Sequence, residues 1–106
     1  MPTVQQLFNE MPSAFNADKA GDFEATIQFD LSGEEGGEWV VTIVDGTCVA
    51  TEGVVEDPTA TLHMEASDYV DMVTGKLDPM TAFIQQKVRV EGDLNAVMKF
   101  QTLFDT

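Results

Sequence analysis

Ser67-Asp-Tyr-Val-Asp-Met-Val-Thr-Gly-Lys-Leu-Asp-Pro-Met-Thr-Ala-Phe-Ile-Gln-Gln-Lys-Val-Arg-Val-Glu-Gly92 reads as two short helices parted by a glycine and followed by a short strand. Ser67 offers an N-cap oxygen, and Asp68 follows in the first turn, where the helix dipole favours a carboxylate. Tyr69, Met72 and Val73 share one face at i, i+3, i+4 spacing. Gly75 is a natural C-terminal stop. Asp78-Pro79 restarts a helix, Asp as cap and Pro at the first helical position. Met80, Phe83 and Ile84 repeat the apolar spacing. Lys87-Val88-Arg89-Val90-Glu91 then alternates as a strand does. Both helices therefore carry an apolar side that must be buried, against the protein's own sheet or against a bound apolar molecule. That alternative is the functional question.

Working outward, Phe23 to Leu31 alternates strictly, with Phe23, Ala25, Ile27, Phe29 and Leu31 on one side and polar residues on the other. A strand with one wet face fits an antiparallel sheet. Asp45-Gly46 is a two-residue hairpin signal between Trp39–Val44 and Thr47–Thr51. It pairs Ile43 with Cys48 and Val41 with Ala50 inside, and Thr42 with Val49 and Val40 with Thr51 outside. Val40, Val44 and Val49 then form an outward apolar patch, a possible homodimer contact. Cys48 falls inside as a small core residue. Ala60, Leu62 and Met64 form the inner side of a fourth strand, and His63 lies on its outer, polar side. Glu24, Asp30, Glu65, Lys87 and Arg89 share that outer side, which reads as solvated.

At the N-terminus Val4, Leu7, Phe8, Met11 and Phe15 follow helical spacing. Pro12 should kink that helix or open a second one. Asn16 to Asp22 reads as an exit loop, and Ser32 to Gly37 as a flexible turn. At the other end Gly92-Asp93 stops the last strand and caps a final helix. Its apolar face is Leu94, Val97, Met98, Phe100, Leu103 and Phe104. So much apolar surface near a chain end calls for a docking groove.

The order is helix, three strands, a connection, a strand, two helices, a strand, a helix. One-sided helices and a one-sided sheet combine as an α+β fold: a five-stranded, mainly antiparallel sheet with helices packed on one face. Its 106 residues make one domain spanning 1–106. The 19 acidic and 5 basic residues give a net charge of −14. That excludes nucleic acid as a partner and argues against tight membrane binding. It fits a solubilising surface or an adaptation to high salt. No run is long enough to span a bilayer. Neither a signal peptide nor a peroxisomal tail is read at the ends, so a cytoplasmic protein is expected. No catalytic constellation and no metal-ligand spacing is present. The single His63 has no His or Cys neighbour in sequence, and the two glutamates of the glycine-rich turn speak against phosphate. No enzyme, cofactor or metal is expected.

Several stretches resemble the sterol carrier protein type 2 (SCP2) domain family. They are Ile27–Gly33, Trp39 through Asp45-Gly46, Asp57–Leu62, Ser67-Asp68, Gly75–Pro79, Ala82-Phe83, Lys87–Asp93 and Met98–Leu103. Order and spacing together carry the resemblance over nearly the whole chain. It implies an apolar tunnel between helices and sheet, and non-catalytic binding and carriage of a fatty acid, acyl-CoA or sterol-like lipid. The side chains placed to line such a tunnel are Phe8, Met11 and Phe15 from the first helix and Phe29 from the sheet. Met72, Val73, Met80, Phe83 and Ile84 join them from the helix pair, and Met98 from the last helix. Flexible, polarizable Met suits a wall that adapts to varied alkyl chains. The alternative is the same fold with a filled core, acting as an interaction module or homodimer. In one place the chain departs from the family pattern: Gln86, where a Gly usually precedes the basic residue of the last strand. A headgroup left outside the tunnel would meet Lys76.

Overall fold

The computed structural model describes residues 3–34 and 36–104, so Glu35 of the glycine-rich turn lies outside the described residues. The chain runs α1 (Val4–Ala14), α2 (Ala17–Ala20), β1 (Ala25–Ser32), β2 (Gly37–Val44), β3 (Thr47–Glu52), β4 (Ala60–Glu65), α3 (Ala66–Val73), α4 (Pro79–Ile84), β5 (Arg89–Gly92) and α5 (Leu94–Gln101). The strands form one five-stranded sheet in the order β3-β2-β1-β4-β5. It is antiparallel except where β1 pairs with β4. The hairpin register places Ile43 opposite Cys48 and Val41 opposite Ala50, as the Asp45-Gly46 turn predicts. Asp45 and Gly46 both hold positive φ, the backbone such a turn demands.

The helix boundaries follow their caps, with three differences. α1 is not broken at Pro12. Pro12 falls in the last turn, where the loss of one backbone hydrogen bond ends little that the helix was not about to end. Asn16–Asp22 is not a plain loop, because the Asn16 side chain accepts from Lys19 N and caps α2. α3 starts one residue before the expected cap: β4 runs straight into it, Glu65 takes the N-cap position without a side-chain bond, and Ala66 is buried. Asp78 and Asp93 cap α4 and α5 through Thr81 N and Ala96 N, as their positions suggest. β1 likewise begins at Ala25; the Phe23 amide instead donates to Ala20 O and closes the preceding turn.

The outer sheet face departs most from expectation. β3 and β4 lie on opposite sides of the β2–β1 pair, so the connection 53–59 must cross that face. Gln28, read as an outward polar residue, is only 5% exposed. Its Nε2 donates to Trp39 O (3.1 Å) and Gly53 O (3.0 Å), and its Oε1 accepts from Val55 N (2.9 Å). The far end of the crossing is tied to β1 by Thr59 N donating to Thr26 O and Thr26 N donating to Thr59 Oγ1. Val40, opposite Gln28, is buried, which removes it from the proposed outward patch and leaves Val49 exposed beside a half-buried Val44. Further along, His63 Nδ1 lies 3.1 Å from Asp30 Oδ2 and Nε2 lies 2.8 Å from Glu91 Oε1. The second contact is at ion-pair distance but lacks hydrogen-bond geometry.

The inner face carries the core. Phe8 is sandwiched between Trp39 (centroids 4.8 Å apart) and Tyr69 (5.0 Å), both within 7° of parallel, with Phe29 edge-on at 5.1 Å. The end of α5 docks on the end of α1. Phe15 and Phe104 form a β-bridge, Asn16 N donates to Leu103 O at 2.7 Å, and Phe104 packs on Phe100 with centroids 5.0 Å apart.

Candidate functional site

Burial is uneven across the inner face. Around Phe8 the space between α1, α3, β1 and β2 is filled by stacked rings. Over β4 and β5 it is not, and two apolar cavities of about 440 and 420 Å³ lie there. The first lies beneath α4 and α5, floored by Leu62, Met64, Val88 and Val90 and walled by Met80, Phe83, Val97 and Met98. The second opens between α1, α3 and α5, beside Met11, Phe29, Tyr69, Val73, Phe100 and Phe104. Leu62 and Met64 on the sheet and Met72, Pro79 and Gln101 on the helices belong to both walls. Each cavity is within the size range that takes lipid-sized ligands.

Local structure explains the room. α4 is a six-residue helix that turns only Ala82 fully into the protein. It is suspended between two Schellman turns. Lys76 N donates to Asp71 O and Gly75 N to Met72 O after α3; Lys87 N donates to Ala82 O and Gln86 N to Phe83 O after α4. Gly75 takes the left-handed position of the first turn at φ +84, and Gln86 takes that of the second at φ +61. With a methyl group as its inward anchor, α4 bridges the interior instead of filling it.

The side chains singled out from sequence distribute as follows. Met11, Phe29, Met72 and Val73 line the second cavity; Met72, Met80, Phe83 and Met98 line the first. Phe8 is fully buried among rings and lines neither, because its flat sides are taken by Trp39 and Tyr69. Phe15 spends its side chain on Phe104, and Ile84 points outward, 72% exposed. Five of the six methionines, Met11, Met64, Met72, Met80 and Met98, line one or both cavities. Residues not singled out from the sequence include Pro79 and Gln101, whose types gave no hint of a wall position. Tyr69 also escaped, since helical spacing places a ring inward without saying what it faces. Burial pushes the Tyr69 phenol above its ordinary range, and its hydroxyl has no hydrogen-bond partner among the described residues. The Cys48 thiol, half-buried on β3, is pushed up to about 11 by desolvation, the mark of an inert core thiol.

Among the described residues no group of three metal-ligating side chains occurs, and no helix is long and apolar enough to cross a membrane. A sequence profile of the SCP-2 sterol transfer family matches residues 4–105. A hydroxysteroid dehydrogenase-like protein 2 from Xenopus tropicalis is 28% identical over 101 residues, covering 94% of this chain and 24% of the relative. This chain thus spans about a quarter of the curated relatives it matches. Among solved structures, the stereoselective inverting sec-alkylsulfatase Pisa1 from Pseudomonas sp. superposes with a TM-score of 0.86 at 21% identity, over 99% of this chain and 17% of that one. The palmitated form of SCP2L2 from Aedes aegypti superposes with a TM-score of 0.81 at 17% identity, over 95% and 93%.

Proposed function

The chain belongs to the SCP-2 sterol transfer family, and from that premise we propose that it binds and carries an apolar ligand without chemically altering it. The ligand class is a fatty acid, an acyl-CoA or a sterol-like lipid. Its hydrocarbon part occupies a single passage made by the two cavities running together past Met72 and Pro79. The observation that carries this reading is the wall itself: two lipid-sized spaces that share Leu62, Met64 and Met72 and are lined by five methionines. The palmitated neighbour of the same fold supports the choice of an alkyl ligand.

Burying ~400 Å² of alkyl surface contributes about 10 kcal/mol. Lost translational and rotational freedom takes back ~4 kcal/mol or more. The remainder corresponds to a Kd of about tens of micromolar. In a longer chain of the kind its relatives have, the domain would hold an apolar substrate for a neighbouring domain. The test is titration with a fluorescent fatty acid. We expect saturable binding near 1:1, displaced by unlabelled acyl lipid. No saturable binding at up to hundreds of micromolar, well above the expected Kd, would contradict the reading.

A further inference from the structure

The two cavity walls hold few polar side chains, and the charged ones are of one sign. Apart from Tyr69, whose hydroxyl is buried, the polar wall residues are Asp78 in the first cavity, Glu10 in the second and Gln101, which belongs to both. Glu10 and Asp78 are exposed, and an exposed residue on a cavity wall stands at its opening. Each cavity therefore opens beside a carboxylate. Asp78 is fixed there as the α4 cap, its Oδ2 accepting from Thr81 N (3.0 Å) and Thr81 Oγ1 (3.2 Å). Neither carboxylate makes an ion pair among the described residues. None of the chain's five basic residues lines either wall. Arg89 sits opposite His63 on the outer sheet face, 3.9 Å from Glu91. Lys99 Nζ donates to Lys19 O, and Lys76 and Lys87 stand in the turns that flank α4.

We infer that this chain selects its ligand by headgroup charge, taking long-chain alcohols and other uncharged, hydroxyl-bearing lipids in preference to fatty-acid anions and acyl-CoA, and that Glu10 and Asp78 set the preference. The inference rests on the carrier reading above and narrows its ligand class. A ligand whose hydrocarbon fills a cavity leaves its polar end at the opening. An ionised carboxylate there only accepts hydrogen bonds, as do Glu10 and Asp78, so acceptor meets acceptor with like charge. A hydroxyl donates to the same oxygens and meets no repulsion. Two unit charges about 4 Å apart cost about fivefold in affinity even in water. The net charge of −14 adds a field of the same sign, which physiological salt screens over about 8 Å. Acyl-CoA, with several phosphate charges, is opposed most. A fatty acid still binds through its alkyl chain, more weakly than the alcohol of the same length.

The test uses the intact protein, a pyrene-labelled long-chain alcohol as probe, and 1-dodecanol and dodecanoate as competitors at neutral pH. We expect dodecanol to displace the probe at concentrations about fivefold or more below those of dodecanoate at low salt, with the gap narrowing as salt is added. Glu10→Gln, and Asp78→Asn, which keeps an N-cap oxygen, should each raise dodecanoate affinity about threefold and leave dodecanol unchanged. Dodecanoate binding as tightly as dodecanol overturns the inference. So does a gap that neither salt nor the two variants narrow, which would assign it to the hydration of the headgroup alone. The two readings separate cleanly. If the probe binds and both competitors displace it equally, only the selection by charge is lost. If neither the probe nor dodecanoate binds, the carrier reading falls and the selection falls with it.

Discussion

Gln86 holds a left-handed backbone, φ +61, at the turn that ends α4. Side chains with a Cβ are strained there by about 1 kcal/mol, and glycine is not. The matching turn after α3 uses Gly75. Gln86→Gly is therefore expected to raise stability in urea by roughly 0.5–1 kcal/mol, part of the relief being offset by the freer unfolded chain. A less stable variant would show that the Gln side chain itself holds the turn. Gln28 acts oppositely, satisfying two carbonyls and one amide where the crossing connection meets the sheet. Gln28→Leu strands those groups, and a loss of about 2–3 kcal/mol is expected; a neutral result would mean that water replaces the side chain. Burial also sets the alkaline limit. The folded state holds Cys48 as a neutral thiol up to about 11 and raises the Tyr69 phenol as well. Both folded values lie above the unfolded ones, so both contributions are complete below about pH 9; that of Cys48 is lost as pH climbs toward about 11, and that of Tyr69 starts to fall near pH 10 and goes on falling above 11. Urea unfolding across that window should show declining stability, with the early part of the decline removed by Cys48→Ala.

At the scale of elements, α3, α4 and the wall they share with β4 decide what the domain can hold. Met72 belongs to both cavities. A larger ring there would grow into open space rather than into packed rings, so overpacking is small. Met72→Trp is expected to keep the fold, seen as an unchanged urea midpoint within error, and to weaken fatty-acid binding about tenfold or more by removing a buried alkyl segment. Undiminished affinity would place the ligand elsewhere. The same elements show why the sequence was readable where it was. Strict alternation marks β1 and β4, Asp45-Gly46 sets the β2–β3 register, and Asp78-Pro79 and Asp93 announce two helices, all within a few residues of each other. The crossing of 53–59 has no such local mark. It follows from the parallel pairing of β1 with β4, a long-range choice, and with it went the burial of Gln28 and Val40. α4 misleads for a different reason. Met80, Phe83 and Ile84 satisfy helical spacing, but in so short a helix that spacing cannot tell a core face from the rim of a cavity.

The whole molecule divides its interior between two uses. Around Phe8, stacked and edge-on rings fill the space under β1 and β2 and hold the fold. Over β4 and β5, short α4 and the methionine walls keep the sheet and helices apart. One continuous buried cluster joins the two parts, running from Phe8, Trp39 and Tyr69 through Leu62 and Met64 to Val88 and Val97. A net charge of −14 opposes self-association, while Met80, Phe83 and Ile84 on α4 stand exposed beside Met98 of α5. The claim underlying this picture is that the interior has room for a lipid. Native mass spectrometry of the delipidated protein, mixed with an equimolar fatty acid, tests it most directly. The account predicts a 1:1 adduct in the wild type that Met72→Trp strips away. No adduct in the wild type, or an equal adduct in both proteins, would contradict it.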